Sequence, residues 1–329
     1  MSSKEIENKE IAWQVLDDIT VYGSITAPKD NAAHPAVVFL AGSGPTDRNW
    51  CSPLIPGANG TAKILAEELA RLGYVTMRYD KLGSGPRVKE NLPKFAGNVS
   101  MQTFKEELSA GVEALLAEKN VDGSRLFALT NSEGAIHAVN YQLVANNRFK
   151  GLVLTGAPGR SIGDVSRTQF LGPSKLLPNG ELLMKHYDES IADFLEGRKI
   201  VIDPSLPKTM EPFFHSLESP VNLPFSRELW TCDLSSYISR IADPMLILIG
   251  KKDIQVDWRL DGEPLETALE HNARASFAYP ENANHVLKHE GMQREKITPE
   301  YAVMHYNAQD VMVDQDAEKD IFTFLAANV

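Results

Sequence analysis

Apolar positions along the chain fall into two rhythms. Short unbroken runs at 35–41 (PAVVFLA), 151–155 (GLVLT) and 245–250 (MLILIG) have the length and composition of strands buried on both faces. Between them the spacing turns helical. Over 60–72, Leu65, Leu69 and Leu72 share one face, and Gly73 stands where a helix commonly stops. Over 101–119 the buried stripe is Phe104, Leu108, Val112 and Leu115. Ser100 is its predicted N-cap, and Thr103 with Glu106 offers a second capping spacing one turn later. Further helices are predicted at 133–144, 264–271 and 317–327, and strands at 74–80, 125–130 and 275–279. Two opening strands, 11–16 and 19–27, have no helix between them and predict an antiparallel edge.

This β-α-β order implies a mostly parallel sheet with helices on both faces. The alternation stops between 160 and 236, a stretch rich in proline and aromatics with short helical patterns such as 180–195. We read it as a mostly helical cap inserted into a core made of 1–159 and 237–329. In such sheets the reactive groups sit in loops at the carboxyl ends of the strands.

Composition narrows the function. With 329 residues the chain can bury a large core without staples. Lys and Arg number 33 against 44 Asp and Glu, a formal charge of −11, which disfavours nucleic acid and anionic membrane surfaces as partners. Cys51 and Cys232 share no metal or redox spacing and read as free thiols. The charged N-terminus has no apolar signal region, so the expected location is cytoplasmic.

Three chemically able residues follow strands. Ser132, in TNSEG, lies at a strand-to-helix turn that would raise its hydroxyl above the sheet and direct the next N–H groups, including that of Glu133, toward an oxyanion. A plain helix cap is the competing reading. Asp253, in GKKDIQV, could orient an imidazole, or be an ordinary loop carboxylate, with Asp257 as a neighbour able to take the same part. His285, in ENANHVLKH, could accept and return a proton. His285 and His289 are four apart, but neither HExxH nor a third ligand accompanies them, so no metal is expected. The order Ser…Asp…His, each beyond a strand, is more specific than any member alone. The loop GSGPTDRN after the strand 35–41 offers the Ser43 N–H as a second oxyanion donor. A dinucleotide loop is the alternative there, but Asp47 stands where its third glycine belongs.

The strings AGSGPTDRN, RYDKLGSG, TNSEGA, GKKDIQV and ANHVLK together resemble the α/β-hydrolase superfamily, most closely serine esterases and acyl hydrolases of the dienelactone-hydrolase and serine-aminopeptidase groups. The resemblance implies an α/β-hydrolase fold, Ser132 as nucleophile, His285 as base, Asp253 as its orienting acid, and the Ser43 and Glu133 main-chain N–H groups as the oxyanion hole. It implies a scaffold role for Asp80 and Gly83. Thr130 departs from the glycine that opens G-x-S-x-G. The expected substrate is a small-molecule carboxylic ester, with no cofactor. Phe213, Phe214, Phe225 and Trp230 are candidates to line its pocket, and the loop 50–60 to border the entrance. Amide or thioester cleavage with the same residues, and ligand binding without catalysis, remain the rival readings.

Overall fold

A computed structural model describes residues 4–16, 18–144, 148–175 and 177–329. Eight strands form one sheet: β1 (Ile6–Val15), β2 (Ile19–Pro28), β3 (His34–Leu40), β4 (Val75–Asp80), β5 (Val121–Asn131), β6 (Gly151–Thr155), β7 (Met245–Leu248) and β8 (Ala275–Ala278). Their spatial order is β1-β2-β4-β3-β5-β6-β7-β8. β1 and β2 pair antiparallel and β2 runs antiparallel to β4; every later pairing is parallel.

Side chains alternate between the faces, as a pleated strand requires. Val37, Phe39, Phe127, Leu129, Val153, Leu246 and Leu248 face a core closed by α1 (Thr61–Arg71) and α11 (Gln315–Asn328). Ala36, Val38, Leu126, Ala128, Leu154 and Ile247 face the opposite core, closed by α3 (Met101–Leu116), α4 (Glu133–Val144) and α9 (Gly262–Ala268). Central strands buried on both faces therefore read as continuous apolar runs.

The helix ends follow local chemistry. Ser100 caps α3, and the capping box closes with Thr103 as its third residue, not through the later Thr103–Glu106 spacing. Asp314 caps α11 by accepting from the Ala317 N–H at 3.1 Å. Two helices escaped the periodicity. α2 (Val88–Phe95) contains Pro93 and buries only Phe95. α10 (Pro299–Tyr306) has no fully buried residue to mark a face.

Between β6 and β7 lie α5 (Ile162–Ser174), α6 (Gly180–Leu195), α7 (Glu211–Leu217) and α8 (Phe225–Trp230), with no strand among the described residues. Leu183, Tyr187, Phe194, Phe214 and Trp230 give this region its own small core. Its two ends meet at a bridge between Ser161 and Asp233, and the Ile162 N–H donates to the Cys232 carbonyl at 3.2 Å. These helices lie over the carboxyl ends of the parallel strands, since Ile162, Val165, Phe213, Phe225 and Trp230 share a cavity with Ser132. Among the described residues no helix is long and apolar enough to cross a membrane.

Candidate active site

Ser132 occupies the one-residue turn between β5 and α4. Its φ is +55°, a left-handed conformation that costs a non-glycine residue energy and that surrounding contacts must hold. Its own N–H donates to the Thr155 carbonyl at 2.8 Å, and its carbonyl accepts from Ala135 at 2.9 Å. Close packing of the new helix on the sheet is concentrated at Gly134, where a Cβ would stand 2.7 Å from the Leu40 carbonyl oxygen. Thr130 lies two residues before the turn, in regular pairing with Leu40 and Leu154. It is the penultimate residue of β5, fully buried, and its hydroxyl donates to the Val153 carbonyl at 3.2 Å. A threonine here completes the sheet instead of straining the turn.

Asp253 and His285 meet. Asp253 Oδ2 lies 2.7 Å from His285 Nδ1, and both side chains are nearly excluded from solvent. The other carboxylate oxygen accepts the Gln255 and Val256 N–H groups at 2.8 and 3.0 Å, which fixes the carboxylate plane. With Nδ1–H donated to Asp253, Nε2 of a neutral ring is the free acceptor. Asp257 turns elsewhere and pairs with Arg294. His289 turns to Asp314, at 3.1 Å.

The histidine loop is held from several sides. Asn131 Nδ2 donates to the His285 carbonyl at 2.8 Å, and Thr61 Oγ1 to the Val286 carbonyl at 2.8 Å. Asn284 Oδ1 accepts the Val286 and Lys288 N–H groups. Gly156, at φ +54°, leaves room for the ring: a Cβ there would lie 3.2 Å from His285 Cε1. Ser132 and His285 face one cavity without a hydrogen bond between them. In ligand-free sites such bonds are commonly long and tighten around substrate.

That cavity has a volume of about 350 Å³. Ser43 and Glu133 border it, and among the described residues neither backbone N–H has a protein acceptor. The Glu133 side chain points away from the reaction space. It is buried against Lys81 Nζ at 3.0 Å and His137 Nε2 at 3.1 Å. Burial alone would raise its pKa, but the Lys81 charge and the His137 contact reverse the sign and bring it to about 2. Phe213, Phe225 and Trp230 line the cavity. Phe214 does not. It is fully buried in the small core shared by α6, α7 and α8, its ring 5.3 Å from Phe213 and 6.2 Å from Tyr187. Adjacent residues on a helix point in different directions, and on α7 Phe213 takes the cavity side while Phe214 turns into the buried core.

The sequence reading missed other parts of the wall: Ile162, Val165, Gln169, Leu229, Gln255 and Tyr306. Ser43, Gln169, Gln255 and Tyr306 also border a second space of about 310 Å³, whose outer wall includes Ser52 and Ile55 of the 50–60 loop. A larger concavity, about 1230 Å³, opens between α5 and α6, but none of the strand-end groups reaches it.

The whole chain superimposes on solved hydrolases. Alpha/beta hydrolase GrgF from Penicillium sp. sh18 matches over 98% of this chain and 99% of its own, with a TM-score of 0.57 and 13% identity. The acylaminoacyl peptidase of Pyrococcus horikoshii matches over 99% of this chain and 42% of its own, with a TM-score of 0.54 and 15% identity. This chain has the α/β-hydrolase fold. No family model matches it. Its sequence is 26% identical over 245 residues to Esterase EstD of Thermotoga maritima, covering 73% of this chain and 52% of that protein. The chain thus spans about half the length of that curated relative. Within this fold, Ser132, Asp253 and His285 stand at the carboxyl ends of β5, β7 and β8, where open α/β sheets place their reactive groups.

Proposed function

We propose that the chain hydrolyses uncharged carboxylic esters of small to medium size through an acyl-enzyme on Ser132. The observation that carries this reading is the 2.7 Å His285–Asp253 pair facing the same cavity as a serine held at positive φ. Ser132 Oγ attacks the ester carbonyl carbon while His285 Nε2 takes its proton. The Ser43 and Glu133 N–H groups receive the oxyanion, a role worth about 3–4 kcal/mol per donor in comparable sites. His285 then protonates the departing alcohol. Water, deprotonated by the same imidazole, attacks the acyl carbon and releases the acid and Ser132.

The cavity wall favours a neutral substrate. Apart from His285, the only ionisable acid or base of the described lining other than tyrosine is Glu133, whose carboxylate is already paired with Lys81. A peptide amino terminus or a free substrate carboxylate would enter without a partner, at a cost of several kcal/mol if fully desolvated. The similarity to Esterase EstD agrees with ester cleavage. The test is a panel of p-nitrophenyl esters of rising acyl length beside aminoacyl amides, with Ser132→Ala as control. Ester turnover that vanishes in the variant is expected. Turnover equal in the variant, or confined to the amides, overturns the proposal.

A further inference from the structure

The string RYDKLGSG has no part in the reaction above, yet it places a buried cation beneath it. Lys81 follows β4 directly, is only 6% exposed and does not border the cavity. Its Nζ donates to the Gly42 carbonyl oxygen and to Glu133 Oε1. Both acceptors bear on the two oxyanion donors. The Gly42 carbonyl and the Ser43 N–H belong to one planar trans amide and point in opposite directions. A cation holding the oxygen therefore sets where the N–H points, and polarises it further. Glu133 is the residue whose own N–H is the other donor.

We propose that Lys81 is a positioning residue for the oxyanion hole: by binding the Gly42 carbonyl and the Glu133 carboxylate together, it fixes the two donor amides relative to each other. The inference rests on the acyl-transfer reading of this site. Several neighbours support a fixed cation. Glu133 is also held by His137, whose ring packs against those of Phe104 and Phe225, at 4.9 and 5.9 Å. The Lys81 ammonium sits 6.0 Å above the Phe104 ring. The Lys81 carbonyl accepts from both the backbone N–H and the hydroxyl of Ser84, each at 2.9 Å, so the lysine's own backbone is anchored.

Lys81→Met alone strands the Glu133 carboxylate in the interior and tests folding more than catalysis. The informative variant is Lys81→Met with Glu133→Gln, which removes both charges together. We expect the double variant to melt close to the wild type. Its kcat on p-nitrophenyl butyrate should fall by between about tenfold and a hundredfold, the range expected when donors shift by a fraction of an ångström. KM should stay within about twofold, because ground-state binding uses the cap wall. The Ki of a trifluoromethyl ketone, whose hemiketal oxygen occupies the hole, should rise by the same factor as kcat falls. A purely structural role would not split these quantities. Glu133→Gln alone leaves Lys81 on the Gly42 carbonyl and should lose only about threefold. A folded double variant with wild-type kcat and Ki overturns the proposal, as does a loss in Glu133→Gln equal to that of the double variant. A wild type that neither turns over esters nor reacts with a fluorophosphonate at Ser132 removes the acyl-transfer reading itself.

Discussion

Glu107→Gln should make the protein more stable above neutral pH, by an amount that grows with pH. Glu107 lies on α3 at 1% exposure, and its Oε1 accepts the Leu82 N–H at 2.6 Å. Burial raises its pKa from the ordinary 4.5 to about 8, against the pull of that N–H and of the Lys81 charge. The folded chain thus keeps a proton that the unfolded chain has released across the window from 4.5 to about 8. When the native state binds more protons, stability falls as pH rises. The slope is about 1.4 kcal/mol per pH unit, and the whole window is worth about 5 kcal/mol at most. Glutamine keeps the shape and the acceptor for Leu82 but carries no titrating proton. Wild type and variant should therefore have similar melting temperatures near pH 5. By pH 8 the variant should be ahead by about 4 kcal/mol, or about 6 °C for a chain of this length. Calorimetry or fluorescence-monitored melting across pH 5 to 8.5 measures the difference, in which all other titrating groups cancel. Two curves that stay parallel over that range would refute the reasoning and show that Glu107 is ionised in the folded protein.

Glu133 has the opposite sign. Its carboxylate, held down to about 2, contributes stability that is present above 4.5 and lost as pH falls toward 2, so Glu133→Gln should flatten the acid limb of the melting profile. Asp253→Asn should lower kcat by about 10³ to 10⁴ with little change in KM, because the amide no longer selects the Nδ1–H tautomer of His285; a stopped assay on a fast ester measures this. Gly156→Ala should slow fluorophosphonate labelling of Ser132, since its Cβ would crowd the His285 ring from a backbone at φ +54°, at a cost of about 1 kcal/mol or more in stability. Val165→Phe should shift the acyl-length optimum toward shorter esters by filling part of the 350 Å³ cavity, read from kcat/KM across the panel.

Much of the fold was legible because burial on both faces leaves a simple trace. β6, α4 and α6 lie where the apolar runs and helical spacings put them, and the absence of a helix between β1 and β2 marked the antiparallel edge. The strand ends carrying Ser132, Asp253 and His285 followed from the same alternation. What stayed hidden depends on contacts remote in sequence. α10 has no apolar stripe, so Tyr306 went unnoticed; the only local signal was Thr298 followed by Pro299 and Glu300, a helix start with the cap, first-position proline and acidic first turn in place. Phe214 could not be separated from Phe213 without the direction of α7. The Lys81–Glu133 pair joins residues 52 apart, and nothing local distinguishes a buried pair from two solvated charges.

The register of the sheet explains why residues so far apart in the chain can form a site at all. Leu40 pairs with Thr130, Thr130 with Leu154, Leu154 with Ile247 and Ile247 with Phe277, a single row across five strands. Just past that row the chain leaves the sheet on each strand: Ser43 is three residues beyond it, Ser132 and Gly156 two, Asp253 six and His285 eight. Ser132 and the Ser43 and Glu133 N–H groups, the proposed nucleophile and oxyanion donors, therefore depend on a few residues of loop anchored to a shared rung, which limits how far they can drift. His285 has the longest lead, and its loop is tied to Asn131, Thr61 and Asp253 and braced from within by Asn284. A one-residue register change between β5 and β6 would break the Ser132 N–H to Thr155 bond and turn Thr130 toward the other face. Positioning of the site is thus largely a property of the sheet, with side-chain hydrogen bonds added where the loop is too long for the sheet to act alone.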